Sequence, residues 1–206
     1  MTRIGFFAIT AAALTALQGV SAHYQLTYPE SRGFDEAREP LAPCGGFDSV
    51  SNRSEFPLKG GFMQINSGHT DYTYEVKVVT DNANPSTDDF NSGTTVAKGS
   101  RPYPAEACLP VDLSSVSNAS AGTNATLQIT YNGGDGTLYQ CADVTLTENP
   151  SSFNSSRCVN ADGSDPTASS SADGSSSDEN GASAGVRAAV GGVFAAAIAA
   201  AFTISA

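Results

Sequence analysis

Ala125-Thr-Leu-Gln-Ile-Thr-Tyr131, Asn132-Gly-Gly-Asp-Gly136 and Leu138-Tyr-Gln-Cys-Ala-Asp-Val-Thr-Leu146 follow one another along the chain. The first and third stretches alternate along their length or are rich in β-branched and aromatic residues, the signature of strands. The glycine-rich middle reads as a hairpin loop joining them. Two more strands read from Gly61-Phe-Met-Gln-Ile-Asn66 and Tyr72-Thr-Tyr-Glu-Val-Lys-Val-Val79, with turn clusters at Asn66-Ser-Gly68 and Asp81-Asn-Ala-Asn-Pro85. No stretch of this region sustains a helical period, and residues 35–38 offer a turn at most. The expected fold is all-β, an antiparallel β-sandwich of immunoglobulin-like type.

Working outward, composition changes abruptly at both ends. Residues 1–22 carry one early arginine, Arg3, then an apolar run, and close on Val20-Ser-Ala22. A basic start, a short apolar core and small residues at the cut describe a secretory signal peptide, and cleavage after Ala22 would make His23 the first residue. Residues 185–206 hold an alanine-rich apolar tail without charge after Arg187, preceded by small residues. That layout reads as a GPI-attachment signal, with Asn180 as the expected attachment residue and Gly174-Ser-Ser176 as the alternative. Residues 161–184 are Ser, Asp, Gly and Ala without an aromatic, which cannot bury a core and are expected to form a disordered stalk.

Residues 23–160 remain, 138 in number, enough for one domain. Sixteen acidic residues against eight basic ones make this domain acidic, which argues against a nucleic-acid partner. All four cysteines lie in it, and an even count in a secreted chain implies two disulfides. Spacing permits three pairings. The expectation is Cys44 with Cys158 and Cys108 with Cys141, tying the chain ends together and closing a shorter inner loop. The wide spacing, with no Cys-x-x-Cys, argues against a zinc cage. Sequons at Asn52, Asn118, Asn124 and Asn154 suit N-glycosylation, whereas Pro85 voids the match at Asn84.

No phosphate loop, dinucleotide-binding glycine pattern or nucleophile elbow occurs, so nucleotide and hydrolase readings lack support. The chain has only two histidines, and one stands at the expected mature terminus. A cleaved His23 offers a free α-amine and a ring nitrogen. A second imidazole, His69 in a loop after a strand, would complete three nitrogens in the tetragonal arrangement that Cu(II) prefers.

The words around these histidines, His23-Tyr-Gln-Leu-Thr-Tyr-Pro29, Pro43-Cys-Gly-Gly46, Gly68-His69 and Tyr139-Gln-Cys-Ala-Asp-Val144, resemble the fungal copper acquisition factor-like family. Members of that family look like lytic polysaccharide monooxygenases (LPMOs) in fold and metal site but are GPI-anchored copper binders. The resemblance covers most of residues 23–160. It implies an LPMO-like sandwich and a histidine brace in which His23 supplies amine and ring, His69 one ring nitrogen, and Asp143 lies at the copper as third side chain.

Period two along the last strand sets Tyr139, Cys141 and Asp143 on one face and Gln140, Ala142 and Val144 on the other. A carboxylate beside a buried disulfide needs a cation or donor to meet. An aspartate at the copper, where related oxidative enzymes carry an aromatic residue, would favour binding over catalysis. Met63 is expected in the core. Tyr24 and Tyr28 are expected to pack beside the site, and Asp35, Glu36 and Glu39 to form a solvated acidic loop.

The leading expectation is therefore a monomeric, non-catalytic binder of one Cu(II). It is held by its GPI lipid at the outer face of the plasma membrane or in the wall, and hands copper toward a plasma-membrane transporter. The rivals are a copper-dependent LPMO acting on wall or environmental polysaccharide, and a metal-free structural wall module.

Overall fold

The computed structural model describes residues 23–50 and 52–166. The expected signal peptide, most of the stalk, the tail and Asn180 lie outside the described residues. Eight strands form, in chain order β1 (Tyr24–Tyr28), β2 (Ser54–Pro57), β3 (Gly61–Ser67), β4 (Tyr72–Thr80), β5 (Thr94–Arg101), β6 (Ala105–Val111), β7 (Asn124–Asn132) and β8 (Thr137–Thr147). A one-turn helix α1 (Thr87–Asn91), opened by a capping box between Ser86 and Asp89, sits between β4 and β5.

The strands make two sheets, β1-β3-β6 and β2-β8-β7-β4-β5. All pairs are antiparallel except β2 beside β8, which is parallel. Alternation sends one face of each strand into a shared core: Met63 and Ile65 from β3, Ala107 and Leu109 from β6, Val76 and Val78 from β4, Leu127 and Ile129 from β7, and Ala142 and Val144 from β8. Each fully buried Leu, Ile or Val stabilises the fold by about 1.5–3 kcal/mol over its exposed state. Sheet packed on sheet is the sandwich expected of this pattern.

Four strands escape the sequence reading for identifiable reasons. Strand β1 has only five residues and β2 four. Strand β5 is an edge with little burial, and β6 is a sheet edge that carries Pro110, which cannot donate to a ladder.

The outer face of each sheet is roofed by irregular chain, and this decides the disulfides. Residues 29–50 cross the five-stranded sheet, where Cys44 bonds Cys141 of β8. Residues 151–160 cross the three-stranded sheet, where Cys158 bonds Cys108 of β6. The expected pairing of Cys44 with Cys158 and Cys108 with Cys141 is thus corrected. Cys108 and Cys141 point outward from opposite sheets, with the core between them, so no bond can join them. The observed bridges close loops with separations of 97 and 50 residues, worth on the order of 4 kcal/mol each on the chain-entropy argument.

Candidate functional site

Strand register brings the two histidines together. Tyr24 faces Ser67 across the β1–β3 pair, so His23 falls opposite Gly68, whose amide donates to the His23 carbonyl at 2.9 Å. His69 is the next residue. Its amide donates to Ser67 Oγ at 3.1 Å, and Ser67 Oγ also meets the Tyr131 hydroxyl at 2.6 Å. The loop that holds His69 is therefore fixed to β3 and β7 beneath it.

The His69 ring lies against the backbone of Gly133 in the β7–β8 loop. A Cβ at that position would stand 2.1–2.4 Å from the ring, which only glycine avoids. Nε2 of His69 is buried and makes no hydrogen bond among the described residues, and Asp135 Oδ1 lies 3.2 Å from it.

The His23 ring meets two carboxylates. Nδ1 shares a hydrogen bond with Glu39 Oε2 at 2.5 Å, and Nε2 lies 3.6 Å from Glu36 Oε2. Glu36 is exposed, whereas only 1% of the Glu39 side chain is. Burial pushes the Glu39 carboxyl above its ordinary range, opposed by hydrogen bonds from Gln140 and His23. Gln140 organises this corner. Its Nε2 donates to Glu39 Oε1 at 2.9 Å and to the Tyr24 carbonyl at 2.7 Å, while its Oε1 accepts from the Leu26 amide at 3.0 Å. The Tyr139 amide of β8 donates to the Glu39 carbonyl at 2.9 Å, which fastens the roof segment to the strand.

Below the histidines three buried tyrosines stack, Tyr24 on Tyr131 at 4.5 Å and Tyr131 on Tyr72 at 4.7 Å between centroids. Burial raises the phenol of Tyr24 well above its usual value, that of Tyr131 to about 12, and that of Tyr72 as well. Tyr24 thus packs beside the site as expected. Tyr28, at the far end of β1, is about 13 Å further along at the rise of a strand and belongs elsewhere.

Asp143 is not with the histidines, which corrects its expected placement at the metal. The parity expected for β8 does send it outward, under the roof, where Arg32 Nε donates to Oδ2 at 2.8 Å and Nη2 to Oδ1 at 2.9 Å. Thr126 Oγ1 also donates to Oδ1 at 2.8 Å. The cation that a buried carboxylate requires is a guanidinium of this chain, held in a bidentate fork. Asp143 also stands three residues beyond Gln140, about 10 Å along the strand and on its other face.

Among the described residues, no three His, Cys, Asp or Glu side chains gather closely enough to hold an ion by themselves. The His23 α-nitrogen is an amide nitrogen as long as the bond before it is intact. The residue that sequence reasoning missed is Glu39, assigned to a solvated loop. An available signal was Gln140, a polar residue on the apolar face of β8, which predicts a buried polar partner.

Known proteins share much of this sequence. The family model described as Copper acquisition factor BIM1-like matches residues 21–163. A protein named Copper acquisition factor BIM1 from Cryptococcus neoformans var. grubii is 39% identical over 146 residues, covering 68% of this chain and 66% of that one. A Lytic polysaccharide monooxygenase-like protein X325 from Hypocrea jecorina is 30% identical over 157 residues, covering 66% and 67%. The chain spans just under two thirds of the BIM1 relative's length. A solved structure titled as a photoreduced polysaccharide monooxygenase CBM33 overlays with a TM-score of 0.39 at 10% identity, over 60% of this chain and 79% of that one, too distant to bear on the site. On the match across residues 21–163, the chain belongs to the family of BIM1-like copper acquisition factors.

Proposed function

We propose that this protein captures copper outside the cell through His23 and His69, with Glu39 rather than Asp143 as the carboxylate at the ion. The observation that carries this reading is the placement of the only two histidines at the ends of paired strands, one facing a buried glutamate and the other with a buried Nε2 that has Asp135 Oδ1 at 3.2 Å and no hydrogen bond among the described residues. The 2.5 Å contact of His23 Nδ1 with Glu39 Oε2 shows that the carboxylate reaches the ring nitrogen that would bind the ion.

Cleavage before His23 frees the amine that, with Nδ1, chelates from a single residue. Two imidazoles, one amine and a carboxylate suit Cu(II), the divalent ion with the highest general affinity for such donors. Copper is cargo here. Three protein nitrogens and a carboxylate leave little of the ion open for oxygen chemistry, so the reading is capture rather than catalysis, and relatives named copper acquisition factors support it. A GPI lipid would hold the captured ion near a plasma-membrane transporter that receives it.

The test is electron paramagnetic resonance of Cu(II) bound to secreted protein that begins at His23, beside a His69→Ala variant. A tetragonal, nitrogen-rich signal that loses nitrogen couplings in the variant is the expected result. An unchanged signal would remove His69 from the site. Oxidised oligosaccharides released from glucan or chitin by copper-loaded protein with reductant and peroxide would replace capture by catalysis.

A further inference from the structure

A recess opens at the other end of β1, away from the histidines. It is a cleft of about 380 Å³, within the usual span for small-molecule sites, lined by Thr27, Tyr28, Glu30, Glu55, Ser152 and Arg157 among others. Its wall is built rather than incidental. The Arg157 guanidinium lies 5.1 Å over the Tyr28 ring and donates to the Thr27 carbonyl at 2.9 Å. Glu55 Oε2 accepts from the Ser151 amide at 2.6 Å and from its hydroxyl at 2.9 Å.

Asn154, the asparagine of one sequon, lies between two lining residues, Ser152 and Arg157, and is exposed. Its amide donates to the Tyr28 hydroxyl at 3.4 Å. Its Oδ1 accepts from the Ser156 amide at 3.1 Å and from the Ser156 hydroxyl at 2.7 Å, whereas Nδ2 makes no hydrogen bond among the described residues. Phe153, one residue before, is wedged edge-on against Phe62 at 5.2 Å and Phe56 at 6.3 Å. The backbone at Asn154 is therefore tied down beside the cleft.

We propose that Asn154 carries an N-linked glycan whose first N-acetylglucosamine seats in this cleft. The bond joins Nδ2 to C1 of the sugar. The amide loses one proton, and the donor, a lipid-linked oligosaccharide of the secretory pathway, leaves as its pyrophosphate. Sugar hydroxyls and the N-acetyl group match what the wall offers, since Glu30, Thr27 and Ser152 accept or donate and Arg157 only donates. The sugar would clamp residues 151–158, which lead into Cys158, onto the edge formed by β1 and β2.

Glycoprotein secreted from a high-mannose yeast host tests this. Mass spectrometry reads Asn154 occupancy. Thermal unfolding then compares protein trimmed to one N-acetylglucosamine by endoglycosidase H with protein stripped by peptide-N-glycosidase F, in the parent and in Ser156→Ala, which lacks only this sequon; an Asn154→Asp variant reads the share due to the aspartate that the second enzyme leaves, and that share is subtracted. The parent is expected to lose about 3 °C between the two treatments, with a clearly smaller loss in Ser156→Ala. The trimmed parent is expected to show nuclear Overhauser contacts from the sugar to Thr27 or Tyr28. An unmodified Asn154 overturns the proposal, and so does an equal loss in both proteins without contacts to the cleft.

Discussion

His23 and Glu39 meet ring to carboxylate, Nδ1 to Oε2 at 2.5 Å, although sixteen residues of chain separate them. The contact exists because β1 begins at the edge of one sheet while the roof segment that carries Glu39 is fastened to β8 of the other. A buried carboxylate aimed at one of the chain's two histidines is the feature that most narrows the chemistry. Glu39→Gln keeps an oxygen for Gln140 but removes the charge, and it is expected to weaken Cu(II) binding by about 10- to 100-fold. Competition titration against a chelator of known affinity reads this, and an unchanged affinity would leave Glu39 a structural residue.

Asp143 is expected to behave oppositely. Asp143→Ala leaves the Arg32 guanidinium buried and unpaired, which costs about 3–5 kcal/mol. Denaturant unfolding should show that loss, and the protein that folds should bind Cu(II) as the parent does. Retained stability with lost copper would return Asp143 to the metal.

Gly133 has no left-handed φ, so alanine fits its backbone. The added methyl instead collides with the His69 ring. Gly133→Ala is expected to shift the His69 ring resonances in the metal-free protein and to lower copper affinity about tenfold, with little change in unfolding midpoint. Unshifted resonances would show that the ring does not rest there.

Alkaline stability follows from the tyrosine stack. Tyr131 ionises near 12 in the fold because it is buried, against about 10 when unfolded. The native state then holds a proton that the unfolded state has lost. The stability from this group is full below pH 10 and disappears as pH rises through 12. Denaturation midpoints should fall across that window, less steeply in Tyr131→Phe, and parallel pH profiles for the two proteins would contradict the assignment.

Much of the fold is legible in the sequence because β7, β8, β3 and β4 alternate cleanly between core and outer face. The edge strand β5 has no buried position to read, β1 and β2 are too short to show a period, and β6, though buried on its inward side, is disguised by Pro110. The two histidines are legible as candidate donors, through the expected cleavage before His23 and the position of His69 in a loop after β3, and the structure adds their neighbouring places at the ends of paired strands. Glu39 is hidden because a roof segment has no period to read, and its burial depends on Gln140 and on the fastening of residues 29–50 to a sheet. The parity of Asp143 is readable while its partner is not. Alternation shows that the carboxylate faces a covered surface, and only the path of the roof shows that Arg32 arrives there. The cysteine pairing fails for the same reason, because sequence distance says nothing about which sheet each roof covers.

The central claim is that His23, as the first residue, chelates copper through amine and ring together with His69. The most direct measurement is Cu(II) affinity of protein beginning at His23 against protein with one alanine placed before it. The account predicts one tight equivalent for the first and a loss of at least about a hundredfold, about 2.7 kcal/mol, for the second. Equal affinity in the two, or only loose binding of several equivalents in both, would contradict it.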